Sequence, residues 1–202
     1  GQRIGPLTMR SIIGSTNYKL LGKPSIKKHN HHLTHAAAGF QTSPYMHATV
    51  VVIDAIGELD CITIWDAWYD ENGIARYKQL YSKKYPDSIG LYYSAMTKKV
   101  GLRPLDEEYI LMGMAAYGKP VLCNQIERGL IEDMTDLRFK HNLHLGVPEG
   151  FLESADDMDV AASSQAIVET MIQNVMAKAK MLGKSKNLVY GGGVALNCLA
   201  NR

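Results

Sequence analysis

Residues 31–54 read HHLTHAAAGFQTSPYMHATVVVID, and this stretch decides how the rest of the chain can be interpreted. Its alanine-rich first part is typical of a helix, in which His31 and His35 lie four positions apart on the same face. Its β-branched second part, residues 48–53, is typical of a buried strand that we expect to end at Asp54. The stretch therefore predicts a helix followed by a strand, each carrying polar groups that can meet in space.

A metal site is predicted from His31, His35 and Asp54. Two neutral imidazoles and one carboxylate, with coordination positions left open, suit ferrous iron, and less selectively zinc or manganese. The open positions would bind an oxygen atom of a substrate. The alternative is that His31, His32 and His35 are partly exposed polar residues of an amphipathic helix that form hydrogen bonds with backbone or water. The residues alone leave both interpretations open.

The composition limits the classes of partner. The chain has 202 residues and a formal net charge of +2 at pH 7, which is enough length for one good core or two small domains. Acidic and basic residues are interspersed, so neither a nucleic acid nor a membrane is expected as a partner. No apolar run approaches the roughly 20 residues that span a bilayer, and the N-terminus lacks signal-peptide features. We therefore expect a cytoplasmic protein.

The three cysteines, Cys61, Cys123 and Cys198, are far apart and show no CxxC spacing. This pattern argues against disulfides and against a cysteine zinc site. We expect all three to act as small, buried, reduced hydrophobic residues.

Three strands are predicted in the first half of the chain. Residues 54–58 (DAIGE) form a tight turn in which Gly57 supplies permissive backbone angles, and residues 61–65 return as the paired strand. Residues 70–73 (DENG) form a second turn before a third strand over residues 74–81. The sequence therefore predicts a three-stranded antiparallel meander.

Helical patterns dominate the second half. A short helix is predicted to follow Asp87 or Ser88, either of which suits its N-cap, and to end at Gly101. A helix over residues 120–131 comes next, and residues 134–145 read as weak strands or an irregular insertion. A long core-facing helix over residues 156–182 is predicted because its apolar residues recur at helical spacing.

A glycine-rich segment follows the last predicted strand, residues 187–190. Residues 191–197 (GGGVALN) place three glycines between that strand and a predicted helix start, an arrangement that can present backbone N–H groups to a phosphate or nucleotide. The segment is neither a GxGxxG fingerprint nor a Walker P-loop. A glycine turn needed only for packing the strand against the helix is the alternative.

Both ends suggest a fragment of a larger protein. Residues 1–25 form no element by periodicity and look like the end of a unit that began earlier. The chain stops at Arg202, inside what we expect to be a new helix.

Taken together, these segments resemble the N-terminal catalytic domain of the O-carbamoyltransferases, which include nodulation-factor, aminoglycoside and cephem carbamoylating enzymes. Five motifs carry the resemblance in the same order along the chain. The matching segments are residues 31–37 (HHLTHAA) for HHxxHAA, 54–58 (DAIGE) for DGxGE, 86–94 (PDSIGLYYS) for PxSLGxxYS, 108–118 (EYILMGMAAYG) for EYKxMGLAPYG and 187–197 (NLVYGGGVALN) for NLxLAGGVALN.

The resemblance implies a fold and a set of binding residues. The family is related to the enzymes that transfer a threonylcarbamoyl group to tRNA, and through them to the actin, Hsp70 and sugar-kinase fold of two ribonuclease-H-like lobes. It implies an α/β fold with a mixed sheet, an antiparallel meander and flanking helices. The opening strands, a second-lobe aspartate ligand and the C-terminal domain that handles carbamoyl phosphate would lie outside this chain. By this resemblance His31, His35 and Asp54 bind iron, and Gly191, Gly192, Gly193 and Asn197 border the nucleotide.

The resemblance also implies an activity. The full protein would convert carbamoyl phosphate and ATP into carbamoyl-adenylate and transfer the carbamoyl group to a hydroxyl of a small-molecule or sugar acceptor. His32 would be a general base toward that hydroxyl or only a hydrogen-bonding neighbour of the ligands. The alternatives are a tRNA threonylcarbamoyl transferase, against which the near-neutral charge argues, and a non-catalytic nucleotide-binding domain. We expect the isolated fragment to be inactive.

Two positions depart from the family motifs. Ala55 replaces a glycine of DGxGE, and Ile110 stands where the family usually has lysine. A small residue at position 55 is acceptable unless the backbone there needs a positive φ. A missing lysine alters the site if the family uses it to contact phosphate or to pair with a carboxylate.

Overall fold

The computed structural model describes residues 27–202, and the prediction for residues 1–25 lies outside this part. The helices are α1 (His31–Thr42), α2 (Ile89–Lys99), α3 (Glu108–Met114), α4 (Cys123–Leu130) and α5 (Asp157–Leu182). The strands are β1 (His47–Gly57), β2 (Asp60–Tyr69), β3 (Ala75–Lys84), β4 (Ile131–Asp133), β5 (Arg138–Phe139) and β6 (Leu188–Gly191). Short 3-10 helices cover Leu143–Leu145 and Gly193–Leu196.

A four-stranded mixed sheet in the order β3-β2-β1-β6 organises these elements. The first three strands pair antiparallel, which confirms the predicted meander. The fourth strand, β6, pairs parallel with β1, so that Val189 lies beside Val50 and Gly191 beside Val52. The predicted α/β class with a mixed sheet and flanking helices is therefore confirmed.

Each face of the sheet packs against its own helices. On one face, Ala36 and Phe40 of α1 pack in a cluster with Val50, Val52 and Trp65. The other face carries the larger core, in which side chains of β1 and β2 pack with α2 and α5. Its buried members include Val51, Ile53, Ile62, Ile64, Tyr92, Met96, Val168 and Met171. Because neighbouring residues of β1 point to opposite faces, its nearly continuous apolar run serves both clusters.

Helix caps follow the residue types at the helix starts. Asn30 caps α1, because its side chain accepts a hydrogen bond from the N–H of Leu33. Ser88 caps α2 in the same way, whereas Asp87 accepts a hydrogen bond from the backbone N–H of Phe139. Asp156 caps the 26-residue α5, which ends before Gly183 as predicted.

Two local predictions were wrong. Strand β1 does not end at Asp54 but continues to Gly57, with an irregularity in its pairing with β2 after Ile53. The positive φ of the turn falls on Glu58, at 62°, rather than on Gly57. Glycine is needed at position 57 because histidine rings occupy the space that a side chain would take.

The expected helix after the glycine segment is also absent from the described residues. Gly193–Leu196 form a single 3-10 turn, and further turns follow as far as Asn201. The 3-10 turn ends at Asn197, whose backbone is extended and whose side chain is hydrogen-bonded to Gln165. Within residues 27–202, no helix combines the length and apolar character that crossing a membrane requires.

The expectation that all three cysteines are buried was wrong for two of them. Cys61 is buried in β2, Cys123 is half-buried, and Cys198 is exposed because it follows the 3-10 turn at the surface. Burial raises the pKa of the Cys61 thiol to about 11. The reactive thiolate of Cys61 is therefore scarce at pH 8.

Iodoacetamide at pH 8 is expected to alkylate Cys198 in the native protein while Cys61 stays unmodified, because Cys198 is exposed and Cys61 is buried. Mass spectrometry of proteolytic peptides from a time course measures the two rates. In denaturant all three thiols should react at similar rates. Equal labelling of Cys61 and Cys198 in the native protein would contradict the placement of β2.

Candidate metal centre and adjoining pocket

The side chains of His31, His35 and Asp54 meet where α1 crosses β1. The His31 Nε2 atom lies 2.8 Å from Asp54 Oδ2, and His35 Nε2 lies 3.3 Å from the same oxygen. The two Nε2 atoms are 3.1 Å apart. The structure thus brings together the three predicted ligands from two successive elements, with His31 and Asp54 23 residues apart in sequence.

Local backbone structure aims these groups at one another. One helical turn separates the two imidazoles, whose ring centroids are 4.7 Å apart. Asp54 Oδ1 accepts a hydrogen bond from the N–H of Ala55, which leaves Oδ2 facing the imidazoles. Burial alone would raise the pKa of Asp54, but hydrogen bonds from His31 and Ala55 outweigh it and lower the pKa below its usual value. The carboxylate is therefore ionised at neutral pH.

The geometry of this cluster fits a divalent metal. Two ligand atoms bound at about 2.1 Å are about 3.0 Å apart at a right angle and about 3.4 Å apart at a tetrahedral angle. The three observed separations lie near this range. The side chains of His31 and His35 are 43% and 36% exposed, so the open side of the cluster faces solvent, where further ligands can enter.

His32 points away from this cluster into the protein. Its ring is fully buried, and its Nδ1 lies 2.9 Å from the hydroxyl of Thr63, which also accepts a hydrogen bond from the indole N–H of Trp65. Burial lowers the pKa of His32, and the charge of Asp54 offsets this only in part. Its Nε2 has no hydrogen-bond partner among the described residues. This burial favours a role in holding α1 on the sheet over that of a general base.

Gly57 provides the space in which the histidine rings sit. A Cβ atom at this position would collide with the rings of both His31 and His32. The close approach of β1 to the first turn of α1 therefore depends on the missing side chain. The DAIGE segment thus contributes to the site through Asp54 and, less obviously, through Gly57.

The glycine segment after β6 lies directly beside the three candidate ligands His31, His35 and Asp54, which together are called the metal cluster. Gly192 has φ +92°, and a Cβ there would collide with the carbonyl of Ile53. A Cβ on Gly193 would lie 2.9 Å from Asp54 Oδ1. Because β6 pairs parallel with β1, these glycines continue past the end of the strand to the position of Asp54.

A cavity of about 350 Å³ opens between this segment and helices α2 and α3. Polar and charged groups in its lining include Asp54, Ser94, Asp106, Glu108 and Asn197. Apolar side chains complete it, among them Leu105, Met112, Val168, Val194 and Leu196. None of the lining residues is basic, and Ile110 is not among them.

Sequence reasoning assigned no role to several residues in or next to this cavity. The hydroxyl of Ser94 donates to the Glu108 carboxylate, which also accepts from the N–H of Leu105. Gln165 of α5 exchanges two hydrogen bonds with Asn197. Gln165 could have been noticed as a polar residue at a core position of a long apolar helix. A buried polar side chain requires a hydrogen-bond partner.

The predicted nucleotide-bordering residues are distributed unevenly around the cavity. Gly193 and Asn197 line it, whereas Gly191 belongs to β6 and Gly192 is packed against β1. The Asn197 side chain is largely committed to Gln165. Any contact of these four residues with a nucleotide would therefore come mainly from the backbone of this segment.

Comparisons with known proteins give a consistent result. A family model described as "Carbamoyltransferase N-terminus" matches residues 7–202. An uncharacterized protein of Synechocystis, sll1178, is 31% identical over 199 residues, covering 88% of this chain and 32% of that protein. An uncharacterized protein of Methanocaldococcus jannaschii, MJ1058, is 25% identical over 202 residues, covering 91% of this chain and 33% of that protein.

A third relative has a descriptive name. Nodulation protein NolNO of Sinorhizobium fredii is 26% identical over 182 residues, covering 85% of this chain and 26% of that protein. The chain therefore spans about a third or less of the length of the curated relatives it matches.

Proposed function

The chain belongs to the carbamoyltransferase N-terminus family, and from this premise we propose that it is the metal- and nucleotide-binding part of a longer O-carbamoyltransferase. That protein hydrolyses carbamoyl phosphate to carbamate and phosphate, and joins the carbamate to ATP with loss of pyrophosphate to give carbamoyl-adenylate. It then transfers the carbamoyl group to a hydroxyl, with AMP as the leaving group. The acceptor is a small molecule or a sugar. The remaining two thirds of the protein supply the other half of the nucleotide cleft and the domain that handles carbamoyl phosphate.

The observation that carries this proposal is the convergence of His31, His35 and Asp54 beside the glycine segment. The three ligand atoms lie close enough together to bind one metal ion. Asp54 also lines the neighbouring cavity. A group bound in the cavity would therefore lie next to a bound cation. This is the arrangement that joining a nucleotide to a small acyl group requires.

The proposed metal is ferrous iron, since two imidazoles, one carboxylate and open positions are its preferred set. When bound, it would act as a Lewis acid toward a carbamoyl oxygen, on which negative charge grows during attack by the acceptor. The chain's own contribution is to hold the ligands. Asn30 fixes the start of α1, Ala55 orients the Asp54 carboxylate, and Gly57 leaves room for both imidazole rings.

The cavity suits the uncharged part of a nucleotide better than its phosphates. Its walls combine apolar side chains with carboxylates and hydroxyls, and no basic side chain lines it. A nucleoside placed there satisfies these groups with its ring and hydroxyls. The phosphates would then extend toward Asp54 and the metal, where a cation offsets their charge.

The sheet topology supports a more specific proposal for the fold, a ribonuclease-H-like lobe. An antiparallel meander with a parallel strand beside its first member, in the order β3-β2-β1-β6, is the arrangement expected of a ribonuclease-H-like lobe. We therefore propose that the chain forms one lobe of an actin, Hsp70 and sugar-kinase type of fold. A second lobe from the remaining sequence would close over the cavity.

The full-length protein, purified without oxygen, tests this function. It should contain iron by elemental analysis, and with carbamoyl phosphate and ATP it should release AMP and carbamoylate a hydroxyl acceptor, as detected by mass spectrometry. A chelator should stop transfer, and added Fe²⁺ should restore it. Transfer that continues after the metal is removed would contradict the metal role. Nucleotide binding without transfer to any acceptor would favour a non-catalytic domain.

A further inference from the structure

A buried amide network connects α5 to the glycine segment. Gln165 in the middle of α5 is 4% exposed. Its Nε2 donates to Asn197 Oδ1 at 3.0 Å, and its Oε1 accepts from Asn197 Nδ2 at 2.9 Å. The two side chains therefore form a reciprocal amide pair that joins the long helix to the segment after β6.

This network uses the whole hydrogen-bonding capacity of Gln165. The hydroxyl of Tyr93 donates to its Oε1 at 2.8 Å, and its second amide N–H donates to Glu169 at 3.0 Å. Burial raises the pKa of Tyr93, which keeps this hydroxyl protonated and therefore a donor. A glutamine with every partner in place has one orientation, so the position of Asn197 is fixed relative to α2 and α5.

The glycine segment is held between this pair and the metal cluster. On one side, Asn197 Oδ1 also accepts from the N–H of Ala200, so the same oxygen fixes the turn that follows. On the other side, Gly192 and Gly193 pack against residues 53 and 54 without side chains. Moving Asn197 would therefore move the wall of the cavity relative to Asp54.

We propose that Gln165 is a positioning residue for nucleotide binding, acting through Asn197 to hold the glycine segment at a fixed distance from Asp54. It touches neither the nucleotide nor the metal. This inference rests on the proposed function, because it assumes that the cavity receives a nucleotide. Gln165 lies outside the five family motifs, and its proposed role is to maintain the geometry of the cavity.

Gln165→Met tests the inference, because methionine matches glutamine in length but cannot form the four hydrogen bonds. Gln173→Met is the matched control, since Gln173 is an exposed residue of the same helix. Val175→Ala truncates a buried residue of α5 away from the network and controls for a general loss of stability. All variants are made in the full-length protein and compared below their melting temperatures.

Two measurements are made on each variant. Hydrogen exchange of peptides covering residues 191–201 reports whether the segment has loosened, with the Ala200 amide as the most direct indicator. Calorimetric titration with ADP reports nucleotide affinity. For Gln165→Met we expect faster exchange in this segment and about a tenfold weaker affinity for ADP, the size typical of residues that orient ligand-binding groups. Both controls should bind ADP within about twofold of the unmodified protein.

A double variant provides a rescue test. Gln165→Asn combined with Asn197→Gln keeps the amide pair and the combined side-chain length, and should recover part of the affinity that either single change loses. Unchanged exchange in Gln165→Met would overturn the anchoring role. Faster exchange with unchanged ADP affinity would overturn the role in binding. If the unmodified protein binds neither ADP, used as a stand-in for ATP, nor AMP, the proposed function and this inference both fail, a result distinct from failure in the variant alone.

Discussion

Asp54→Ala is expected to abolish metal retention and carbamoyl transfer while the protein stays folded. Asp54 supplies the oxygen that faces both imidazoles, at 2.8 Å from His31 and 3.3 Å from His35. Without it, two neutral nitrogen ligands remain, and the negative charge that balances a divalent cation is lost. Changes to residues that merely support metal ligands cost about 10- to 100-fold in affinity, so removing a ligand should cost at least about 100-fold.

Cobalt titration under anaerobic conditions measures this effect, because the visible absorption of Co²⁺ reports both affinity and ligand geometry. Asp157→Ala is the matched control, since Asp157 is an exposed aspartate in the first turn of α5. Its metal content and transfer rate should match those of the unmodified protein. Should Asp54→Ala retain metal with near-normal affinity, the three-residue cluster would not be the binding site.

Gly57→Ala is expected to damage the same centre without removing a ligand. The added Cβ would collide with the rings of His31 and His32. The His32 ring cannot move aside, because it is fully buried and its Nδ1 is bonded to Thr63. The first turn of α1 must therefore separate from β1, and inserting a group into such a packed site costs about 1–3 kcal/mol. Metal affinity should fall because His31 moves with this turn.

Gly113→Ala is the control for the glycine-to-alanine change itself. A Cβ at Gly113 would meet no atom within 4 Å, and the residue lies in α3. Alanine is favoured over glycine in a helix by about 0.5–1 kcal/mol, so this variant should be as stable as the unmodified protein or more stable. Thermal unfolding and cobalt titration compare the two variants. Normal stability and metal affinity in Gly57→Ala would show that β1 and α1 are not packed as described.

The sequence predicted well wherever local periodicity specified the structure. The helix from His31 was expected from its alanine-rich composition, and the meander of β1 to β3 from β-rich runs separated by turn residues. The long helix α5 was expected from the spacing of its apolar residues. The proximity of His31 and His35 followed from helix geometry alone. Their meeting with Asp54 was expected from the strand that carries it, although the strand continues three residues further than predicted.

The errors fall where long-range contacts override local preference. Position 57 carries the glycine expected for a turn, yet the positive φ falls on Glu58. A glycine is needed at position 57 because two histidine rings occupy the space of a side chain there. The segment after Leu196 does not become an α-helix, and Asn197, at the end of the 3-10 turn, is hydrogen-bonded to Gln165, which is 32 residues away in sequence. No window of sequence contains both partners of such a contact.

The sequence by itself determined the class of the fold, the family motifs and the candidate metal ligands, because these depend on residue type and on short spacings. Only the tertiary structure decided that β6 pairs parallel with β1, which brings residues 191–193 beside residues 53 and 54. The position of the cavity and the partner of Gln165 depend on that pairing. The burial of His32 depends on the packing of α1 against β1 and β2. The physical reason is that strand pairing between distant segments is selected by the packing of the whole core, whereas helix and strand periodicity is set within a few residues.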